Sequence, residues 1–180
     1  MNDDAIHRIV EEIEYLRAKR ARMAGARPRL IVVHGHHQAV NDCLPGETIE
    51  QACFSVSSDV IPLRVSPTGL VLADVFARKK PLPLTVAHIE RILATDPFYV
   101  RLGANAASAQ RPTIRLTHRS IKVYVQRLRQ QIGKALKEAG LAMRPEEILV
   151  SEDTDLLNVA AYRLTISCEF VHVDGTGGGT

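Results

Sequence analysis

The chemistry most legible in this sequence is cationic. Between Asp96 and Glu138 there is no carboxylate, yet nine Lys and Arg residues fall in that interval. In THRSIKVYVQRLRQQIGKALKE, Thr117 to Glu138, a helical projection puts Arg119, Lys122, Val123, Gln126, Arg127 and Gln130 on one face, with His118 and Arg129 at its margins. Such a face suits a polyanion, because Arg and Lys displace counterions from phosphates while Arg and Gln also read base edges. A merely solvated helix would mix signs and gain from i,i+4 Glu/Lys pairs, which are missing here until the last turn. Val123, apolar in the middle of the polar face, is a natural neighbour for a thymine methyl.

The elements that must hold this face are also visible. Ile121, Val125, Leu128, Ile132 and Leu136 form the opposite stripe at three-and-four spacing, which predicts an amphipathic helix with that side buried. Thr117 is its expected cap, and Ala139-Gly140 with Pro145 beyond is its expected stop. Upstream, Ser66-Pro67 predicts a helix start, with Leu70, Val71, Val75 and Phe76 turned inward until Lys79-Lys80-Pro81. Thr85 caps a second helix that packs through Val86, Ile89 and Leu93, and Asp96-Pro97 breaks it. Residues 98–116 then read as a long connection in which Phe98, Tyr99 and Leu102 are anchored and Gly103 to Pro112 is mobile or solvent-facing.

Leu30 to His34 and Val60 to Val65 read as strands, the second confined to an edge or bulge by Pro62. Thr48 to Phe54 is open between helix and strand, with a strand preferred for Cys53 to Val56. After the cationic helix, EEILV begins another strand, and Tyr162 to Phe170 alternates as a strand returning from it. Near the N-terminus Ile6, Ile9, Ile13, Leu16 and Met23 make a heptad seam interrupted by Arg20. A homodimer through residues 3–24 and a helix lying on its own domain are the two readings of that seam; symmetric binding to two half-sites favours the dimer. The expected organisation is thus an N-terminal amphipathic helix over 1–26, a domain over 27–173 and a flexible tail over 174–180.

Composition removes several classes. The chain of 180 residues carries a formal net charge of +3 and is 46% hydrophobic, so it can bury a core, and its cationic character is local. Trp is absent and aromatics make up only 4%, which disfavours modules that stack single-stranded bases. The acidic start, MNDDAIHRIVEE, is unlike a signal peptide, and no apolar run reaches membrane-span length. A cytoplasmic protein without a membrane partner is expected. Cys43, Cys53 and Cys168 show no C-x-x-C spacing and read as small hydrophobes. His34, His36, His37 and Cys43 lack the paired spacing of common zinc motifs, so the run HGHHQ reads as a polar turn with exposed imidazoles and no metal or cofactor is assigned.

SIKVYVQRLRQQI, then EEILV, then AAYRLTI, resembles the winged helix-turn-helix effector domain of the OmpR/PhoB family of bacterial transcriptional regulators. The matching positions are Ile121, Val123, Val125, Leu128, Arg129 and Ile132 on the helix, and Tyr162, Arg163 and Leu164 at the wing. The likeness spans about Val60 to Ile166. Gly69 stands where the family's first helix usually carries an acid, Ala160-Ala161-Tyr162 replaces Gly-x-Gly-Tyr, and the receiver domain common in the family is expected to be missing. The resemblance implies an α+β fold: a small N-terminal antiparallel sheet, a three-helix core and a C-terminal β-hairpin wing. It also implies a third helix in the major groove and a loop, here residues 98–116, that can touch RNA polymerase.

The leading reading is a sequence-specific regulator of double-stranded DNA. Arg119, Lys122, Val123 and Gln126 lie nearest the bases, Arg111, Arg115, Arg127 and Lys134 serve phosphates, and Thr117, His118 and Gln130 complete the face. A protein-interaction adapter is the second reading, favoured by Glu152, Asp153 and Asp155 at the expected wing, which phosphates would repel. A metal-dependent enzyme is third, since the chain has no glycine-rich phosphate cradle, nucleophile elbow or spaced acid pair.

Overall fold

A computed structural model of the chain describes residues 27–37, 46–56, 58–108, 118–154 and 159–173. The seam of residues 3–24, Cys43, Arg111, Arg115, Thr117, Asp155 and the tail lie outside the described residues.

Strand β1, Arg29–His37, starts from the alternation of Leu30 and Val32, both buried, and continues it through His34. Contrary to the polar turn expected of HGHHQ, residues 34–37 are strand, and His34 is 1% exposed. An imidazole can take an inward strand position when a carboxylate waits there to accept its N–H, and Asp74 does so. Strand β2, Gly46–Val56, pairs antiparallel with β1, and β3, Asp59–Pro62, pairs antiparallel with β2. Pro62 ends β3 at the sheet edge, where its missing N–H is harmless.

Helix α1, Pro67–Lys79, begins as expected: the Ser66 hydroxyl accepts from the Gly69 N–H at 3.3 Å, and Pro67 occupies the first turn. A cis peptide joins Lys80 to Pro81. Strand β4, Leu84–Thr85, leads into α2, Val86–Thr95, capped by the Thr85 hydroxyl accepting from the His88 N–H at 3.2 Å. Asp96-Pro97 ends α2 but also starts α3, Pro97–Ser108, with the Asp96 carboxylate accepting from the Phe98 N–H at 3.0 Å. The long connection expected here is therefore helical as far as Ser108. Proline at a first helical position is a start signal as much as a break.

Helix α4, His118–Glu138, buries Ile121, Val125, Leu128, Ile132 and Leu136, against α1 and α2 among others. Each such side chain contributes about 1.5–3 kcal/mol when removed from water. The helix stops at Gly140, whose φ is 71°, with the Leu141 N–H donating to the Leu136 carbonyl at 2.9 Å. Among the described residues, nothing beyond its chain neighbours comes within 4 Å of where a β-carbon at Gly140 would sit. Gly140→Ala is therefore expected to cost only the left-handed backbone penalty, about 1–2 kcal/mol, read from the urea midpoint at unchanged slope.

A short turn of helix α5, Pro145–Ile148, precedes β5, Leu149–Thr154, which pairs antiparallel with β6, Val159–Leu164. β6 also pairs with β4, giving a second sheet ordered β4-β6-β5. The strand expected over Tyr162 to Phe170 is broken at Thr165 and Ile166. Beyond them β7, Ser167–Val173, leaves that sheet and lies parallel to β1, so the first sheet is ordered β3-β2-β1-β7. The small N-terminal antiparallel sheet is thus mixed and includes a C-terminal strand. One continuous apolar core, from Leu30 to Ile166, joins both sheets and the helices of this α+β fold. No helix among the described residues is long and apolar enough to cross a membrane.

Candidate nucleic-acid interface

With its apolar stripe held in the core, α4 turns a cationic face outward. Arg119, Lys122, Val123, Gln126, Arg127, Gln130 and Lys134 are all exposed. Residues 119, 122, 126, 130 and 134 follow three-and-four steps, so they form one row along the helix, with Val123 and Arg127 beside it. Val123 remains 45% exposed, an apolar side chain within a charged surface. Arg119, Lys122, Arg127 and Lys134 have no carboxylate partner among the described residues. The Arg127 guanidinium lies 5.4 Å from the Tyr124 ring centroid, a contact that keeps its charge available. His118 is the first residue of α4.

Arg129, at the margin of the face, is used internally. Its Nε and one terminal nitrogen donate to the Leu149 carbonyl at 2.9 and 2.6 Å, and the terminal nitrogen also reaches the Ser151 hydroxyl at 2.7 Å. It pins α4 to β5 and so fixes the hairpin beside the exposed row. On that hairpin Tyr162 and Leu164 are buried, whereas Arg163 forms an ion pair with Glu152 across the two strands. One of the acids expected to repel phosphate is thereby paired with a cation; Asp153 remains exposed.

A second polar assembly lies inside the fold. Asp74, fully buried in α1, accepts from Tyr99 OH at 2.6 Å, from His34 Nε2 at 2.7 Å and from Arg78 Nε at 2.9 Å. The Arg78 guanidinium caps the assembly from outside, 4.6 Å from the Phe98 ring centroid and 5.4 Å from that of Phe170. Beyond His34, Glu47 Oε1 lies 2.9 Å from His172 Nδ1. The donor atoms of His34, Glu47 and His172 all fall within 4.8 Å of one another, a set able to hold a metal ion. Sequence reasoning missed Asp74, Tyr99, Glu47 and His172. The available signal was Asp74 itself, a lone carboxylate inside the apolar run LVLADVF with Arg78 one turn later.

Burial first, then the neighbouring Asp74 carboxylate, pushes the Tyr99 phenol far above its usual range. A folded-state value above the unfolded one means that Tyr99 supports the fold fully below the unfolded phenol value of about 10 and loses that support as pH rises past it. Urea unfolding is expected to weaken more steeply from pH 9 to 11 in the native protein than in Tyr99→Phe. At neutral pH Tyr99→Phe is expected to cost about 1–3 kcal/mol for the lost hydrogen bond to a charged acceptor. Burial also raises the thiols of Cys53 and Cys168, consistent with their reading as small hydrophobes.

Comparison with protein-family models, curated proteins and solved structures finds no match to the chain.

Proposed function

We propose that the chain is a sequence-specific double-stranded DNA-binding transcriptional regulator that lays α4 in the major groove, with the β5–β6 hairpin as a wing. The observation that carries this reading is the exposed, acid-free row Arg119, Lys122, Gln126 and Lys134 on a helix whose other side is buried. A major groove admits a helix of this kind, Arg and Gln can form bidentate pairs with guanine and adenine, and Val123 can meet a thymine methyl. Arg127 and Lys134 suit phosphate contact, and Gln130 continues the row. The seam of residues 3–24 supplies the expected homodimer, in which two copies of α4 would read half-sites about one helical turn apart.

Selection from randomised duplexes with the full chain tests the reading. An enriched motif is expected, with affinity that falls steeply with salt, the slope being about −0.9 per neutralised phosphate. Failure to enrich any motif, together with salt-independent behaviour, would favour a protein-interaction adapter, for which exposed Asp153 is the supporting observation.

A further inference from the structure

Three strands bring together a ligand set that does not involve α4. His34 and His172 are register partners on the parallel pair β1 and β7, and Glu47 sits on β2, two residues from Ile49, the partner of His34. His34 Nε2 lies 2.7 Å from the Asp74 carboxylate, which only accepts, so Nε2 carries the proton. In the neutral ring Nδ1 then presents a lone pair. It is buried and has no hydrogen-bond partner among the described residues; Glu47 Oε1, another acceptor, lies 3.3 Å away. At 3.3 Å the pair is longer than a charge-assisted hydrogen bond of about 2.7–2.9 Å. A cation bound to both lone pairs would resolve the opposition.

We propose that His34 Nδ1, Glu47 Oε1 and His172 Nδ1 bind one divalent transition-metal ion of the zinc class. Tetrahedral zinc with bonds of about 2.0–2.2 Å separates neighbouring ligand atoms by about 3.3–3.5 Å. The 3.3 Å between His34 and Glu47 already matches, and the 2.9 Å between His172 and Glu47 needs to open by only a few tenths of an ångström. Asp74 fits the outer-shell carboxylate that fixes the tautomer and orientation of a ligating histidine. Phe170 stacks on the His34 ring at 5.6 Å and Phe98 lies tilted at 6.0 Å, giving one wall without competing donors. His172 is 63% exposed at its side chain, which leaves the other side open to solvent and to a water as fourth ligand. The ion would fasten the C-terminal strand β7 to β1 and β2.

The test uses the full chain, stripped with a chelator and titrated with Zn²⁺ by calorimetry and with Co²⁺ by visible absorption. One equivalent is expected, with tetrahedral Co²⁺ bands and a rise in melting temperature on adding Zn²⁺. His172→Ala and Glu47→Gln, both at solvent-accessible side chains, should melt like the metal-free native chain, bind Zn²⁺ more than about tenfold more weakly, and lose the Zn²⁺-induced rise. His88→Ala, at an exposed position on α2, should bind as the native chain does. The proposal is overturned if the native chain takes up no stoichiometric metal, or if its affinity is unchanged in both His172→Ala and Glu47→Gln. It fails equally if His88→Ala, and neither of those two, abolishes binding.

Discussion

Replacing Arg119, Lys122 and Gln126 together with Ala is expected to lower affinity for a selected duplex by about 10²- to 10⁴-fold while leaving the fold intact. A bidentate base contact is worth about 1–3 kcal/mol and a phosphate contact adds a counterion-release term, so three such interactions together remove about 3–6 kcal/mol. All three side chains are exposed, and none holds another element in place among the described residues. Their removal should therefore shift unfolding by less than about 0.5 kcal/mol. The salt slope should become shallower by about one for each phosphate that is no longer neutralised. Arg129→Ala supplies the contrast on the same helix. It abandons the Leu149 carbonyl and the Ser151 hydroxyl, so it should lower stability. Retention of native duplex affinity by the triple variant would sink the assignment of α4 as the reading helix.

Asp74→Ala is expected to be the most damaging single substitution for stability, at about 3–5 kcal/mol. It removes the one acceptor shared by Tyr99, His34 and Arg78 and strands three donors, one of them a cation, in or beside the core. Two of these partners join segments distant in sequence: Asp74 and His34 are 40 residues apart, and Asp74 and Tyr99 are 25 apart. The substitution should therefore loosen α1 from both β1 and α3, not merely weaken one helix. Asp74→Asn keeps the volume and one acceptor oxygen but not the charge, and should fall between Ala and the native residue. Equilibrium urea unfolding at neutral pH measures all three. A destabilisation below about 1 kcal/mol in Asp74→Ala would mean that water satisfies the stranded donors and that the carboxylate is not a structural hub.

The two variants probe an exposed face and a buried polar hub, which differ in legibility. The core stripe of α4 could be read because helical periodicity is a local property: five apolar residues at three-and-four spacing specify one buried side whatever packs against it. The same holds for the caps at Ser66 and Thr85 and for the stop at Gly140, each set by side chains or backbone within a few residues. Asp96-Pro97 shows the limit of such local signals. The pair ends α2, as expected, but the same proline opens α3, and the sequence alone does not distinguish a break from a restart. HGHHQ failed for a different reason. Its polarity predicts a turn, but polar residues can occupy a strand once cross-strand pairing and a buried carboxylate satisfy them.

By itself, then, the sequence determined the helix that presents Arg119, Lys122 and Gln126 and the side on which it is buried. Those follow from the short-range geometry of the chain. Only the tertiary structure decided that the C-terminal strand β7 lies parallel to β1, and that His34, Glu47, Asp74, Tyr99 and His172 share one polar assembly. Strand order and the meeting of distant side chains depend on the path of the whole chain. No spacing within a local window encodes them, because the free energy that selects them comes from burying the common core.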